Sequence, residues 1–595
     1  MDRNSAIGFV LIAVVLFAYF TFFAPEAPTT PPQPVTTQQV VKDSVAAQPA
    51  VAARDSAIAR QYGNLAPLLN GEEKTLSLSN DDIQLQFSSK GARIRSAELS
   101  RYKTYSQQPL LLVTPSSSDF RLLAKVEGRE IDLYQLYYNA EQRTVGDTTQ
   151  VVFSAAVGNG VIRHIYGLGK KGYVLSYRIE TEGLTQSLTG DALTYQWVNR
   201  IPLVEKDVKD SRTKTAANFY TTAGEFDGTS ESSMDVETMT LPQPVRWVSF
   251  KQKFFLTAFI AGNSFSGGEV GTSSNEALPE LVKEAQAKLT IPVADVQKGA
   301  SFRYYLGPND YKTLDDVSPG LRRNVYLGWP PVKWVNQYFI FPVFHFLTTV
   351  IGNYALIIVI LVIILRIVLL PLTYKSYLGM AKMRLLKPEL DELKAQYADD
   401  QVKFSQEQMK LFSEAGASPF SGCIPILLQM PILFAMFYLF PASIEFRQQT
   451  LWWAEDISTY DSLIKFSFDL PLLGSHISIF TLLMTASTLA ITWQNNQVST
   501  VDGPMKSMSY IMPVIFLFML NSFPASLSFY YLVANVFSFG QQYLIKRFVD
   551  EEKIKKVMED HRKKSATGTS GKSKFMSRLE EAMKAGEEAR KKRKS

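Results

Sequence analysis

The sequence predicts a multidomain protein: a polytopic α-helical membrane protein with six transmembrane helices, five of them forming one core, joined to an external antiparallel β-sandwich. Three observations lead there. Apolar stretches lie near residues 6–24, 353–373, 422–442, 477–494, 508–523 and 525–545. Between the first two, short runs such as IQLQF, TQVVFSAAV, YVLSYRI and ALTYQWV are β-branched and aromatic and are separated by Gly, Asn, Asp and Ser, which is how strands and turns alternate. Basic residues crowd the connections on one side of the apolar stretches only, the asymmetry that orients membrane proteins.

Residues 6–24 carry no charge and are long enough to span a bilayer core. They are read as an uncleaved amino-terminal anchor; a cleaved signal ending at the small residues near Ala24 and Ala27 is the alternative. Residues 25–72, as in PEAPTTPPQPVTTQQ, have no sustained period and too little apolar surface to fold, so they are expected to be a disordered linker. Residues 73–325 hold the many short strands and are expected to form the sandwich, with LPELVKEAQAKL as a helix on its flank. Residues 326–350, with many aromatics beside Lys333 and His345, suit an amphipathic helix lying in the membrane interface.

Residues 351–548 form the membrane domain. Its first connection, 376–418, contains MAKMRLLKPELDELKAQY and QVKFSQEQMKLFSEAG around the break ADD, two helical patterns that make a hairpin. Between the second and third spans lie Lys375, Lys382, Arg384, Lys387, Lys394, Lys403 and Lys410, whereas the loop 444–476 has only Arg447 and Lys465. Counting basic residues places the hairpin and the basic tail 549–595 in the cytoplasm and the β-domain outside it, in a bacterial cell the periplasm. An even number of spans puts both termini on the cytoplasmic side.

Several function classes are excluded. One cysteine, Cys423, permits neither an internal disulfide nor a cysteine zinc site, and the histidines at 164, 345, 476 and 561 are too scattered to pair on a metal. No metal or other cofactor is expected. The tail segment ATGTSGKS, residues 566–573, fits a relaxed phosphate loop, but no buried strand precedes it to aim its backbone N–H groups. The β-domain offers no acid–base pair or nucleophile set, so the chain is not read as an enzyme. A membrane-tethered carbohydrate-processing enzyme is one rival reading and a secondary transporter is another. The basic tail has the charge to meet lipid headgroups or RNA; DNA is not an expected partner.

One residue stands out in NYALIIVILVIILRIVLLPLTYK: Arg366, among Ile and Leu. An arginine at membrane depth costs about 2.5 to 3.5 kcal/mol on insertion scales, so it faces protein, water or a partner. It precedes Lys375 by nine residues, about 13 Å of helix rise, which puts it in the cytoplasmic half. The other apolar stretches contain no acidic residue. Two readings stay open: snorkelling to the cytoplasmic surface, or a hydrated groove lined by polar side chains of the other spans. Gln429, Thr485, Ser487, Thr488, Ser526, Ser528, Tyr530, Tyr531 and Asn535 are the candidates for that lining, each also explicable as a helix-to-helix hydrogen bond. Met430, Met436, Met484, Met512 and Met519 either fill the core or soften a surface for varied partners.

From about 325 to 548 the chain resembles the YidC-type membrane protein insertases, related to the Oxa and Alb proteins of mitochondria and chloroplasts. The resemblance rests on LRIVLLPLT, YLGMAKMRLLKPEL, GCIPILLQMPILFAMFYLF, DGPMKSMSYIMPVIF and FPASLSFYYLVANVFSFGQQYLI, in family order. The anchor, the large external domain and WVSFKQKFFLTAFIA resemble the long bacterial form in the inner membrane, which implies that the antiparallel β-domain is a β-super-sandwich. It implies a positively charged groove around Arg366, open to cytoplasm and lipid, that accepts a nascent membrane segment and releases it sideways into the bilayer. Gln429, Ser528, Tyr530 and Tyr531 are implied as groove or substrate contacts. The hairpin, with Lys382, Arg384 and Lys387, is implied to capture nascent membrane proteins and to meet the ribosome or signal-recognition components. The Sec translocon is the further implied partner, and help with folding and assembly of membrane proteins a further role.

Overall fold

A computed structural model describes residues 62–566, apart from 158, 185, 243, 398–399, 418–423, 471–472 and 499–503. The anchor at 1–24, most of the linker, Cys423 and the tail after Ala566 lie outside the described residues, as does all but the first residue of the phosphate-loop-like segment.

The alternating runs form three antiparallel sheets. A nine-stranded sheet holds, in spatial order, Phe226–Gly228, Ala216–Thr221, Val245–Lys251, Phe255–Phe265, Ala300–Pro308, Val174–Glu182, Gly160–Gly169, Thr148–Val157 and Asn139–Val145. A six-stranded sheet is centred on Leu281–Pro292 and Ala192–Pro202, and a four-stranded sheet is built from Thr75–Val113. Side chains on alternate positions meet between the two larger sheets. Tyr195 stacks on Phe259 and Trp197 packs on Phe250, each pair with centroids 4.5 Å apart, and the hydroxyls of Tyr195 and Tyr304 are 2.9 Å apart. Phe87 carries the four-stranded sheet onto the same core through Tyr166, at 4.8 Å. Apart from that, the nine-stranded sheet is covered on its outer face too: Trp247, Leu256 and Ile260 pack under Leu314, Leu321 and Val325.

Two expectations for this region need correction. LPELVKEAQAKL is not a helix, because Leu281–Pro292 is a strand paired on both sides, with Ala192–Pro202 and Gly268–Ser273. Its Ala, Glu, Lys and Leu favour a helix in isolation, but Ala285, Ala287, Leu289 and Ile291 alternate into the core, and two ladders outweigh local propensity. The end of the linker also folds: Gly63–Leu69 is a short 3-10 helix whose Leu65 is buried in the sandwich, with Leu68 and Leu69 beside it.

Helices take over after the sandwich. We label them in chain order: α1, Val208–Arg212, and α2, Tyr311–Val317, belong to the β-domain. Then come α3, Pro330–Val335, and α4, Phe341–Val350, joined by a π turn at Asn336–Ile340 within the stretch read as interfacial. The helical region proper comprises α5, Tyr354–Leu385; α6, Lys387–Gln396; α7, Gln401–Glu414; α8, Ile424–Ala442; α9, Ile479–Val498; α10, Pro504–Leu520; α11, Ala525–Phe548; and α12, Glu551–Ala566. Helix α5 starts where Asn353 caps it, accepting from the Leu356 N–H at 3.0 Å. Among the described residues α5 is the helix long and apolar enough to cross a bilayer by those measures alone, while Gln429–Ala442 and Lys506–Leu520 are shorter apolar helices. The helix α5 also runs 10 residues past Lys375 to Leu385, so the first arm of the hairpin is split between its last turns and α6.

The β-domain is fastened to the loop after α8. Arg447 meets Glu205 at 2.9 Å and also donates to the Lys103 carbonyl. Lys253 is buried between Asp210 on α1, at 2.8 Å, and the Ser458 carbonyl, at 3.1 Å. Lys206 reaches the Tyr460 carbonyl at 2.9 Å and the Ser462 hydroxyl at 3.0 Å. Burial pushes the Glu205 carboxyl up, and Arg447 and Lys253 pull it back.

Candidate functional site

The site is built from one face of α5. Ile357, Ile358, Leu361, Val362 and Leu365 recur at helical spacing and are buried against α8, α9 and α11, while further along the helix Ile367, Val368, Leu370 and Leu372 are exposed. Arg366 follows Leu365 at the edge of the buried face and turns inward. Its Nη2 donates to the Ala534 carbonyl of α11 at 3.0 Å. The Gln429 amide on α8, with its oxygen toward the guanidinium, accepts from Nη1 at 3.2 Å and from Nη2 at 3.1 Å. The opposite orientation would press amide hydrogens against guanidinium hydrogens, so the network fixes this one.

Both acceptors are neutral, and the ion pairs among the described residues do not include Arg366. Hydrogen bonds orient the guanidinium without cancelling its charge, and they occupy only part of its five N–H donors. Next to Ala534, Asn535 donates to Ser487 Oγ at 2.9 Å and Thr488 Oγ1 at 2.8 Å on α9. Four helices thus bring polar groups to one level: Arg366, Gln429, Ser487 with Thr488, and Asn535.

The other candidates divide. Tyr531 donates to the Leu433 carbonyl at 3.1 Å, and Tyr530 is buried, packing on Phe440 with centroids 5.6 Å apart; both sit within a turn of Ala534. Ser528 does not join them. It lies six residues earlier on α11, about 9 Å along the axis, fully buried, with its hydroxyl 3.0 Å from that of Thr481.

That second cluster closes the outer end of the helices. Asp461 accepts from Trp453 Nε1 at 2.8 Å, from the Ile479 N–H at 2.8 Å and from the Phe480 N–H at 3.2 Å, and bonds the Ser478 hydroxyl. A carboxylate at the first turn of α9 satisfies orphan N–H groups and complements the helix dipole. Thr459 and Ile457 carbonyls take the first N–H groups of α11, at 2.8 and 3.0 Å from Ala525 and Ser526. Asp461 is not among the sequence-derived candidates. Its one signal is an acidic residue ahead of an apolar stretch, and the intervening strands, Ile464–Leu470 and Gly474–Ile477, hide that it caps α9.

At the opposite end of the helices, Lys382 donates to the Gly416 carbonyl at 3.1 Å and Arg384 pairs with Glu551, so both tie the hairpin into the fold, while Lys387 is exposed. The tail is a folded partner there. Ile554 and Met558 of α12 are buried with Leu386, Leu390 and Phe412, and Arg562 meets the Glu389 carboxylate at 2.7 and 2.8 Å.

Comparison with known proteins adds a family frame. A family described as "YidC periplasmic domain" matches residues 75–342 and one described as "60Kd inner membrane protein" matches residues 311–553. The chain is 40% identical over 599 residues to the membrane protein insertase YidC of Amoebophilus asiaticus, covering 98% of this chain and 99% of that protein. It is 43% identical over 616 residues to that of Cytophaga hutchinsonii, covering 99% and 98%, and 33% identical over 638 residues to that of Parabacteroides distasonis, covering 99% and 98%.

Proposed function

The chain belongs to the YidC family of membrane protein insertases, a non-enzymatic family of the inner membrane with a periplasmic domain, and on that premise we propose that it works through a charged groove at Arg366. Five apolar helices, α5 and α8 to α11, form the core, with the amino-terminal anchor as a sixth span and both termini in the cytoplasm. Nascent hydrophobic segments enter the groove from the cytoplasmic side. The short polar or acidic terminus of a substrate is drawn toward Arg366 and across. The apolar segment then leaves sideways into lipid, driven by burial worth roughly 25 cal/mol per Å², so that no nucleotide is required.

The observation that carries this reading is the neutral environment of the guanidinium. Arg366 is held by the Ala534 carbonyl and the Gln429 amide and retains a whole charge for a substrate carboxylate. Gln429, Tyr530 and Tyr531 lie close enough to touch a chain beside it, whereas Ser528, bonded to Thr481, serves as a strut of the outer closure. The hairpin, with Lys382, Arg384 and Lys387, and the basic tail receive substrates from the ribosome or signal-recognition components. The β-domain faces the Sec translocon when the two act together, and the same groove lets the protein act alone or assist folding and assembly.

Liposomes containing the full chain and a short single-spanning substrate with an acidic amino terminus provide the test. Arg366→Ala lowers insertion and Arg366→Lys largely preserves it. Equal insertion by both variants across several substrates refutes the groove charge.

A further inference from the structure

Beyond the apolar stretch of α5, the helix and the junction of α11 and α12 leave a gap between them. The gap between them is a cavity of about 550 Å³, a size that holds a small ligand. Lys375, Leu378 and Lys382 line it from α5, Phe548 from the end of α11, and Lys553 and Val557 from α12. Its wall carries three lysines against one carboxylate, Asp550, which stands 3.5 Å from Lys553. Lys382 is engaged with the Gly416 carbonyl. Lys375 has no hydrogen bond or ion pair among the described residues.

The cavity opens onto apolar surface. Leu372 and Tyr374 on α5 are 43% and 41% exposed, and Leu544 and Phe548 on α11 are 55% and 79% exposed. A positive chamber that continues into two exposed apolar helix faces fits an amphiphile with an anionic head better than a soluble anion. It stands where the apolar run of α5 gives way to Lys375 and where α11 ends in Lys546 and Arg547, the level of the headgroups. Basic pockets between helices at that level select anionic lipids.

We propose that this cavity seats the headgroup of an anionic phospholipid of the cytoplasmic leaflet, its phosphate between Lys375 and Lys553 and its acyl chains along α5 and α11. The bound headgroup links α5 to α12 and so steadies the hairpin that α12 packs against.

Native mass spectrometry of the full chain in detergent, titrated with phosphatidylglycerol or with phosphatidylcholine of the same acyl chains, tests this. The parent prefers phosphatidylglycerol. In the double variant Lys375→Gln with Lys553→Gln, affinity for it falls about thirtyfold while phosphatidylcholine binding is unchanged. Lys546→Gln, outside the cavity, leaves the preference in place, and glycerol 3-phosphate does not displace the lipid. Retained preference in the double variant, or an equal loss in Lys546→Gln, reduces the effect to general surface charge and overturns the site. Displacement by glycerol 3-phosphate overturns the lipid assignment in favour of a soluble phosphate.

Discussion

The side-chain oxygen of Gln429 on α8 and the guanidinium of Arg366 on α5 face each other at 3.1 to 3.2 Å, with the Ala534 carbonyl of α11 closing the third side at 3.0 Å. The contact separates two properties that one arginine usually combines, its hydrogen bonding and its charge. Gln429→Glu converts the neutral acceptor into a carboxylate at the same distance and neutralises the charge. Insertion of substrates with acidic termini then falls about tenfold, a cost of 1.4 kcal/mol, in a protein that folds normally. Gln429→Leu removes the acceptor, keeps the charge and inserts far better than Gln429→Glu. Insertion kinetics in liposomes compare the two.

The seam between the β-domain and the outer loop depends on a buried pair. The Arg447 and Glu205 side chains are 2% and 9% exposed, so removing one partner strands the other. Arg447→Met is expected to loosen this seam by about 3 to 5 kcal/mol, and the double variant with Glu205→Leu to recover much of the loss. Thermal unfolding and proteolysis of the loop 443–462 measure both.

Docking of α12 on the hairpin leaves little space at Gly416. Its φ is +57°, and a Cβ there would lie 2.8 Å from the His561 ring. Gly416→Val therefore combines backbone strain with a collision, costing about 1 to 3 kcal/mol. Hydrogen exchange over residues 551–566 rises in this variant and stays low in the β-domain.

Acid weakens the sandwich through His164. The ring is buried, 2.8 Å from the Tyr177 hydroxyl and 3.3 Å from that of Tyr138, and burial drives its pKa down from 6.5 to about 3. The folded value lies below the unfolded one, so this contribution is whole above pH 6.5 and is lost as pH falls toward 3. Between about pH 7 and pH 5 the β-domain loses about 2 kcal/mol by this route. Urea midpoints followed by near-ultraviolet dichroism detect the slope, and His164→Phe flattens it while lowering stability throughout.

Legibility in the sequence followed the range of the interactions. Arg366 could be picked out because a charge within an apolar run is conspicuous without any partner, and the strands because side chains alternate locally. Helix α12 was not read from the basic tail, since its apolar positions, Ile554 and Met558, are sparse and find their partners in Leu386, Leu390 and Phe412 more than 100 residues away. The strand Leu281–Pro292 was misread for the same reason: its neighbours in the sheet, not its own composition, fix its conformation.

By itself the sequence determined the succession of a strand-rich and a helical region and the presence of a costly arginine, because hydrophobic transfer and charge burial act on each residue where it stands. Tertiary structure alone decided what that arginine meets. Bringing Gln429, Ala534 and Asn535 to its level, and keeping Ser528 in the outer closure, depends on how four helices pack and how far each is shifted along its axis. A hydrogen bond reaches only about 3 Å, while one residue of axial shift moves a side chain by 1.5 Å and turns it by 100°.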